Sequence, residues 1–245
     1  ADDSIAGGLG NDLLLGDEGT VTLQGGIVIS IASTNAGTGG VDGITGDDGN
    51  DTINVTTSYS GIIYGGDGND VIYMPSVGIG TYAEGGAGAD TINAGAYGMI
   101  TYQHASSAIS INANSGTAGD AAGDVLIGNR LTGSNYGDTF INTSFSLYLG
   151  TGSNVVVNHW ADVYGNTGDD LVTFSRANVH TFHSGGGNDV VTGGAYNDRF
   201  YLDGNGSCQV NYAHGDGYDT IYQFTHGSDC INLAAIDGWE DPIVW

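Results

Sequence analysis

The most regular repeat of the chain is Gly65-Gly66-Asp67-Gly68-Asn69-Asp70-Val71-Ile72-Tyr73. It is a nine-residue unit with glycine at places 1, 2 and 4, aspartate at place 6 and an aliphatic residue at place 8. Eight units share glycine at place 4, aspartate at place 6 and an aliphatic residue at place 8; they begin at residues 7, 37, 46, 65, 85, 165, 184 and 214. Chance would give this pattern roughly once in such a chain, so the repetition is a structural signal.

The spacing of the units predicts how the chain coils. The units at 46, 65 and 85, and those at 165 and 184, start 19 or 20 residues apart, which is about two units of nine. Places 6 to 9 alternate in direction as a short strand, so place 8 faces inward, and only stacked units can bury it. The sequence predicts an all-β fold, a right-handed parallel β-roll or β-solenoid with two strands and two turns per coil. At about 18 residues per coil, the chain would form about 13 coils.

The turns of these units have the composition of a cation site. Glycine permits positive φ and a close approach of carbonyl oxygens, and aspartate offers a short, hard carboxylate that suits Ca²⁺. Turns stacked about 4.8 Å apart can enclose an ion between carbonyls of one coil and carboxylates of the next. The predicted calcium ligands are Gly7, Gly8, Gly10, Asp12, Gly37, Gly40, Asp42, Gly46, Gly49, Asp51, Gly65, Gly66, Gly68, Asp70, Gly85, Gly86, Gly88, Asp90, Asp138, Gly165, Gly168, Asp170, Gly185, Gly187, Asp189, Gly193, Gly194, Asp198, Gly215, Gly217 and Asp219.

Composition agrees with a cation requirement. The 245 residues include 45 glycines, 28 acidic residues and 3 basic residues, and the formal net charge is −25. Roughly eight to ten Ca²⁺ ions would nearly cancel this charge. Because ion binding and folding would then be coupled, we expect them to occur as one transition.

The same composition excludes several classes of function. Nucleic-acid binding depends on phosphate neutralisation by Lys and Arg, which this chain nearly lacks. No run of 18 apolar residues occurs, so we expect no membrane-spanning helix. The HExxH, GxSxG and Walker motifs are absent from the sequence, so we expect no enzymatic activity.

The repeated units resemble the RTX (repeats-in-toxin) calcium-binding β-roll, over most of the chain. The resemblance implies calcium in the turns, folding on calcium outside the cell and export by a type I system. Residues 101–141 resemble the spacer between RTX arrays, and residues 217–237 resemble the segment that closes the roll in serralysin-type proteases. The predicted organisation is a first array over 1–100, spacer-like coils continuous with the solenoid over 101–141, a second array over 142–222, and a closing segment with a secretion signal over 223–245.

Cys208 and Cys230 occupy places 6 and 7 of units that lie one coil apart. Stacked coils bring Cα atoms to about 5 Å, within disulfide range, and a secreted location permits the bond. We therefore expect a disulfide. Free buried thiols are the alternative, and places 6 and 7 should not point the same way.

Histidine and tyrosine give weaker signals. His180 and His183 could form a transition-metal pair, but exposed turn residues are the better interpretation. Strand-surface packing explains the fourteen tyrosines, and a sugar-binding face for a surface polysaccharide is the alternative.

The sequence supports two main hypotheses of function. The first is a secreted, extracellular, non-enzymatic calcium-binding structural protein of the cell surface or matrix, which self-associates head to tail into filaments. The second is the C-terminal module of a larger exported protease, lipase or alginate epimerase, since the chain begins inside a unit. Ice binding is a weaker third hypothesis, because places 7 and 9 are mixed rather than ranks of threonine.

Overall fold

Short strands form nearly all of the regular structure in the computed structural model. It describes residues 4–10, 13–15, 19–24, 27–33, 41–55, 60–74, 80–175, 178–213 and 215–235, in two units, Ala1–Thr132 and Gly133–Trp245. The described strands of the first unit are β1 (Ser4–Leu9), β2 (Leu13–Leu15), β3 (Gly19–Gln24), β4 (Ile27–Ser33), β5 (Val41–Asp48), β6 (Thr52–Asn54), β7 (Ser60–Asp67), β8 (Val71–Tyr73), β9 (Thr81–Ala87), β10 (Thr91–Gly95), β11 (Met99–Thr101), β12 (Ser110–Asn112), β13 (Ser115–Ala118), β14 (Val125–Gly128) and β15 (Arg130–Thr132).

The second unit contains the remaining described strands. They are β16 (Thr139–Ile141), β17 (Ser146–Tyr148), β18 (Val155–His159), β19 (Val163–Tyr164), β20 (Leu171–Phe174), β21 (Thr181–His183), β22 (Gly187–Thr192), β23 (Arg199–Tyr201), β24 (Gly206–Ala213), β25 (Thr220–Tyr222) and β26 (Cys230–Ala235). The described helical structure is one 3-10 turn, Gly119–Ala121. No described helix reaches the length and apolar character needed to cross a membrane.

In the first unit the chain alternates between two sheets, one strand of each per coil. One sheet has the order β1-β5-β7-β9-β11-β15 and is parallel. The other runs β2-β6-β8-β10-β14 in parallel and then adds β13 and β12 antiparallel. The second unit repeats the scheme, with β17-β19-β21-β23-β25 in one parallel sheet and β16-β18-β20-β22-β24-β26 in the other.

Place 8 forms the core in the described units that begin at 37, 46, 65, 85, 165 and 184, as the alternation predicts. Ile53, Ile72, Ile92 and Leu126 are register partners in consecutive coils, and each is at most 1% exposed. Parallel in-register stacking buries the same apolar position in every coil, which no single unit could do. The predicted all-β fold, a parallel β-solenoid, is confirmed.

The predicted number of coils is too high: the solenoid has fewer turns than the thirteen expected. Two segments take residues out of the coils. β3 and β4 pair with each other as an antiparallel hairpin, and residues 102–124 hold β12, β13 and the 3-10 turn between two consecutive coil strands. The repeat count assumed that every residue belongs to a coil, which insertions of this kind violate.

The boundary between the two units falls after Thr132, inside the stretch 101–141 that the sequence predicts as a spacer. The finer division into arrays, spacer and closing segment stays a prediction. Residues 236–245 of the predicted closing segment lie outside the described residues.

Adjacent isoleucines test the inward and outward alternation. Ile63 is fully buried, and Ile62 beside it in β7 is 40% exposed. We expect Ile63→Ala to lower the free energy of unfolding by about 3 kcal/mol, because it leaves a cavity in the core. Ile62→Ala should cost less than about 1 kcal/mol. Urea denaturation of both variants in the same buffer checks this, and equal costs would contradict the register.

Candidate metal site in the aspartate turns

The turns that join the two sheets need glycine because the coils stack so closely. Gly66 and Gly68 have φ of +115° and +144°, which disfavour any side chain. A Cβ atom on Gly68 would also overlap the carbonyl oxygen of Gly49 in the adjacent coil, and Gly88 stands in the same relation to Gly68. The predicted reasons for glycine, positive φ and close carbonyl approach, both hold here.

Aspartates at place 6 form a ladder along the first unit. The backbone N–H of Asp51 donates to Oδ1 of Asp70 at 2.8 Å, and Asp70 donates in the same way to Asp90, also at 2.8 Å. Asp90 continues the ladder to Asp124 at 2.8 Å. All four side chains are at most 1% exposed. One oxygen of each accepting carboxylate therefore satisfies a buried backbone donor of the neighbouring coil.

A second ladder at place 5 runs in the opposite direction. Asn69 donates its backbone N–H to Oδ1 of Asn50 at 2.7 Å, and Ala89 donates to Oδ1 of Asn69 at 2.8 Å. The N–H groups at places 5 and 6 thus face opposite neighbours, and each is met by a side-chain oxygen. Sequence reasoning missed this role, although the recurring Asn-Asp pair at places 5 and 6 was its signal.

The second carboxylate oxygen differs from the first in three turns. Oδ2 of Asp70, Asp90 and Asp170 is buried, and no residue in the described part of the chain donates a hydrogen bond to it. A Cβ atom on Gly65 would overlap both Oδ2 of Asp70 and the carbonyl oxygen of Gly85, so these two acceptors lie on the same side of Gly65. Buried acceptors that face each other without a donor are unfavourable unless a cation or a proton lies between them.

Asn154 shows what this position requires. It occupies place 6 in the second unit, and its Oδ1 accepts the N–H of Asp138 at 2.9 Å, as an aspartate would. Its Nδ2, which corresponds to the second carboxylate oxygen, donates to the carbonyls of Gly152 at 2.7 Å and Gly150 at 3.4 Å, and to Asp170 at 2.9 Å. The site of the second side-chain atom at place 6 is therefore surrounded by hydrogen-bond acceptors in this turn. The N–H donors of the Asn154 amide satisfy these acceptors.

Burial and mutual repulsion act on these carboxyl groups. Burial, together with the charges of Asp124 and Asp70, raises the pKa of Asp90 to about 7. Burial is also the main reason why the pKa of Asp189 rises to about 7 and that of Asp170 to about 6. A stack of such groups cannot all be ionised near pH 7 without a compensating positive charge.

The donor set fits a hard cation better than a transition metal. Within the described ranges, no three histidine, cysteine, aspartate or glutamate side chains converge as a metal-binding group. Glycine carbonyls would have to supply most ligands, together with one carboxylate oxygen such as Oδ2 of Asp70. Oxygen ligands of this mixed kind are those that Ca²⁺ takes.

Most predicted ligands that the structure describes lie in these turns. The units at 46, 65 and 85 form one column in the first unit, and those at 165 and 184 lie in the place-6 ladder of the second. Asp198 and Asp219 form a column of their own, in which the Asp198 N–H donates to Oδ1 of Asp219 at 2.9 Å. Asp42 lies in β5, and Asp12, Gly37 and Gly40 fall outside the described residues.

The predicted disulfide is wrong: Cys208 and Cys230 are free thiols. The register partner of Cys230 is Gln209, one residue beyond Cys208. Because side chains alternate across a strand, Cys208 faces the core and is 2% exposed, whereas Cys230 is exposed on the other face. Close Cα atoms were a poor guide here, since places 6 and 7 point in opposite directions.

His180 and His183 do not form a metal pair. His180 is fully buried and stacks on Phe174 at 4.6 Å, so the expectation of an exposed turn residue is wrong for it. His183 lies on the outer face, where its Nδ1 is 2.9 Å from Oδ2 of Asp203. His180 directly precedes β21, and His183 is its last residue. Because side chains alternate along an extended chain, a spacing of three residues places the two rings on opposite faces.

Five rings form a ladder along the outer face of the second unit. Tyr148, Tyr164, His183, Tyr201 and Tyr222 stack in consecutive coils with centroid separations of 4.5 to 4.9 Å. Their faces cover one another, and stacked rings of this kind stabilise the sheet surface. This geometry favours strand-surface packing over a sugar platform, which needs free ring faces.

Comparison of the sequence with protein-family models and with curated proteins found no match. The functional argument therefore depends on the residues and their geometry.

Metal-free protein should become more stable as the pH falls from 7.5 to 5.5. The folded-state pKa values of Asp90, Asp189 and Asp219 are raised to about 7, so their stabilisation is present at low pH and is lost as the pH rises through 7. His159, with a pKa lowered to about 4, opposes this because its contribution is lost as the pH falls. Three carboxyl groups outweigh one imidazole in this window.

Thermal melts of desalted, metal-free protein check this expectation, with calcium-saturated protein as the control. The control should show the reverse slope, because protons compete with bound calcium. If the melting temperature of the metal-free protein decreases as the pH is lowered from 7.5 to 5.5, the prediction is contradicted.

Proposed function

We propose that this chain is a secreted structural protein whose β-solenoid folds on calcium, as its resemblance to RTX repeats implies. The observation that carries the proposal is the second oxygen of Asp70, Asp90 and Asp170, which is buried and receives no hydrogen bond from the residues that the structure describes. A cation at this position would join adjacent coils through a carboxylate of one and a glycine carbonyl of the next.

Calcium suits the position better than the other common cations. Ca²⁺ takes six to eight oxygen ligands in flexible geometry, and backbone carbonyls serve it well. Mg²⁺ demands a small octahedral shell and usually keeps several waters, which a buried turn such as that of Asp90 does not offer. Several divalent ions would also offset much of the −25 charge that the chain carries.

Calcium binding in the turns would suit an extracellular location. Extracellular modules bind calcium with dissociation constants of about 10⁻⁴ to 10⁻³ M, well above cytosolic concentrations. A chain of this kind would be less stably folded in the cytosol than after export, which is compatible with type I secretion.

A structural role is supported by the way the acidic residues are used. Oxygens of Asp70, Asp90 and Asp124 accept backbone N–H groups, so these carboxylates are committed to the stack rather than to acid–base chemistry. Head-to-tail self-association belongs to the proposal, since terminal strands of a solenoid can pair with another copy. Sedimentation velocity in calcium checks it, and a single species of monomer mass would contradict it.

Calcium titration of the metal-free protein tests the central proposal. We expect far-UV circular dichroism and the melting temperature to rise cooperatively with Ca²⁺ at pH 7.5, and to respond much less to equal Mg²⁺. A spectrum and melting temperature that are unchanged by calcium and by exhaustive chelation would overturn the proposal.

A matched pair of variants in one turn locates the ion. Asp70→Asn keeps the Oδ1 acceptor but places an amide donor among the acceptors, as Asn154 does. We expect it to bind about one ion fewer by equilibrium dialysis and to gain less stability from calcium. Asp67→Asn, an exposed residue of the same turn, removes the same charge and should leave both values unchanged.

A further inference from the structure

Not every place-6 carboxylate lacks a donor. Asp198 accepts the N–H of His180 on Oδ1 at 2.7 Å and that of Gly194 on Oδ2 at 2.8 Å. Both oxygens of this fully buried side chain are therefore satisfied by the protein itself. This carboxylate therefore needs no cation to satisfy its oxygens.

In two further aspartates both carboxylate oxygens also accept hydrogen bonds from the protein. Asp138 accepts the N–H of Ser134 on Oδ2 at 2.7 Å and the Ser134 hydroxyl on Oδ1 at 2.5 Å. Asp229 accepts the N–H of Thr225 on Oδ2 at 2.7 Å and that of Cys208 on Oδ1 at 2.9 Å. In all three turns the donor to Oδ2 is the backbone N–H four residues earlier, at place 2 of the unit.

The backbone at place 2 separates these turns from those of Asp70 and Asp90. Gly66 and Gly86, four residues before Asp70 and Asp90, have φ of +115° and +101°, and neither N–H reaches the carboxylate. Ser134, Gly194 and Thr225 have no positive φ.

Two other side chains obtain a donor from a different source. Oδ2 of Asp124 accepts the hydroxyl of Tyr102 at 2.6 Å, and both side chains are fully buried. Asn154 carries its own donor, the amide that meets the Gly150 and Gly152 carbonyls. Backbone, hydroxyl and amide donors thus take the role that a cation would take.

We infer that the solenoid contains two kinds of turn, open turns that bind calcium and donor-closed turns that do not. The open turns are those of Asp70, Asp90 and Asp170, and the donor-closed turns are those of Asp124, Asp138, Asn154, Asp198 and Asp229. The protein therefore binds fewer ions than it has place-6 turns, and removal of calcium loosens the open turns first. This inference rests on the proposed function, since it assigns the ions to particular turns.

Asn154→Asp tests the inference by gain of a site. The substitution keeps the Oδ1 acceptor and removes the amide donor that faces the Gly150 and Gly152 carbonyls, so it turns a donor-closed turn into an open one. We expect about one additional bound ion, lower stability without calcium and recovery with it. Asn178→Asp, which adds the same charge at an exposed position of the second unit, should change neither value.

Loss of a site is tested by Asp90→Asn and Asp198→Asn. The first variant should bind about one ion fewer, whereas the second should bind as many ions as the unaltered protein, whatever its stability. Native mass spectrometry counts the ions in the folded population, so partial unfolding of one variant does not obscure the result.

The two proposals fail in different ways. If the unaltered protein binds no calcium, the proposed function is overturned. If it binds calcium but Asn154→Asp gains no ion, or Asp198→Asn loses one, the division into open and donor-closed turns is overturned while the proposed function stands.

Discussion

A carboxylate that is buried beneath glycine carbonyls must meet a cation, a proton or an N–H or O–H donor, because facing oxygen atoms repel one another. This constraint recurs at place 6 of the coils. In the place-6 ladders the first oxygen accepts a backbone N–H of the neighbouring coil, as between Asp51 and Asp70. The second oxygen decides whether the coil closes by itself or needs an ion. If that cation is calcium, as we propose, calcium dependence is a property of single turns and differs between neighbouring coils of one fold.

Close stacking explains the other requirements of the turns. Adjacent coils approach so closely that a carbonyl oxygen of one occupies the space of a side chain on the next, as at Gly68. The same close approach brings the aspartates within hydrogen-bond distance of the neighbouring backbone. The place-5 and place-6 ladders then satisfy N–H groups that point toward opposite neighbours. Core packing and turn chemistry support each other, because the register that stacks Ile53 on Ile72 also aligns Asp51 with Asp70.

Alternation along each strand corrects two expectations that were based on proximity. Cys208 and Cys230 lie on adjacent strands, yet an offset of one residue puts their side chains on opposite faces. His180 and His183 are close in sequence, yet one ring is in the core and the other stands in the outer ring ladder. Distance along the chain or between Cα atoms is insufficient evidence for a site in a β-solenoid.

The amino-acid sequence predicts the parallel β-solenoid, the inward position of place 8 and the column of aspartates, because each follows from a nine-residue period that stacking must respect. It did not reveal the insertions that reduce the coil number, nor which carboxylates have a donor. Those were decided by the tertiary structure, since the donors come from other coils or from the local backbone conformation: Tyr102 reaches Asp124 across the spacer-like stretch, and the N–H of Gly194 turns toward Asp198. Such partners share no pattern in sequence, so only the folded chain brings them to the same oxygen.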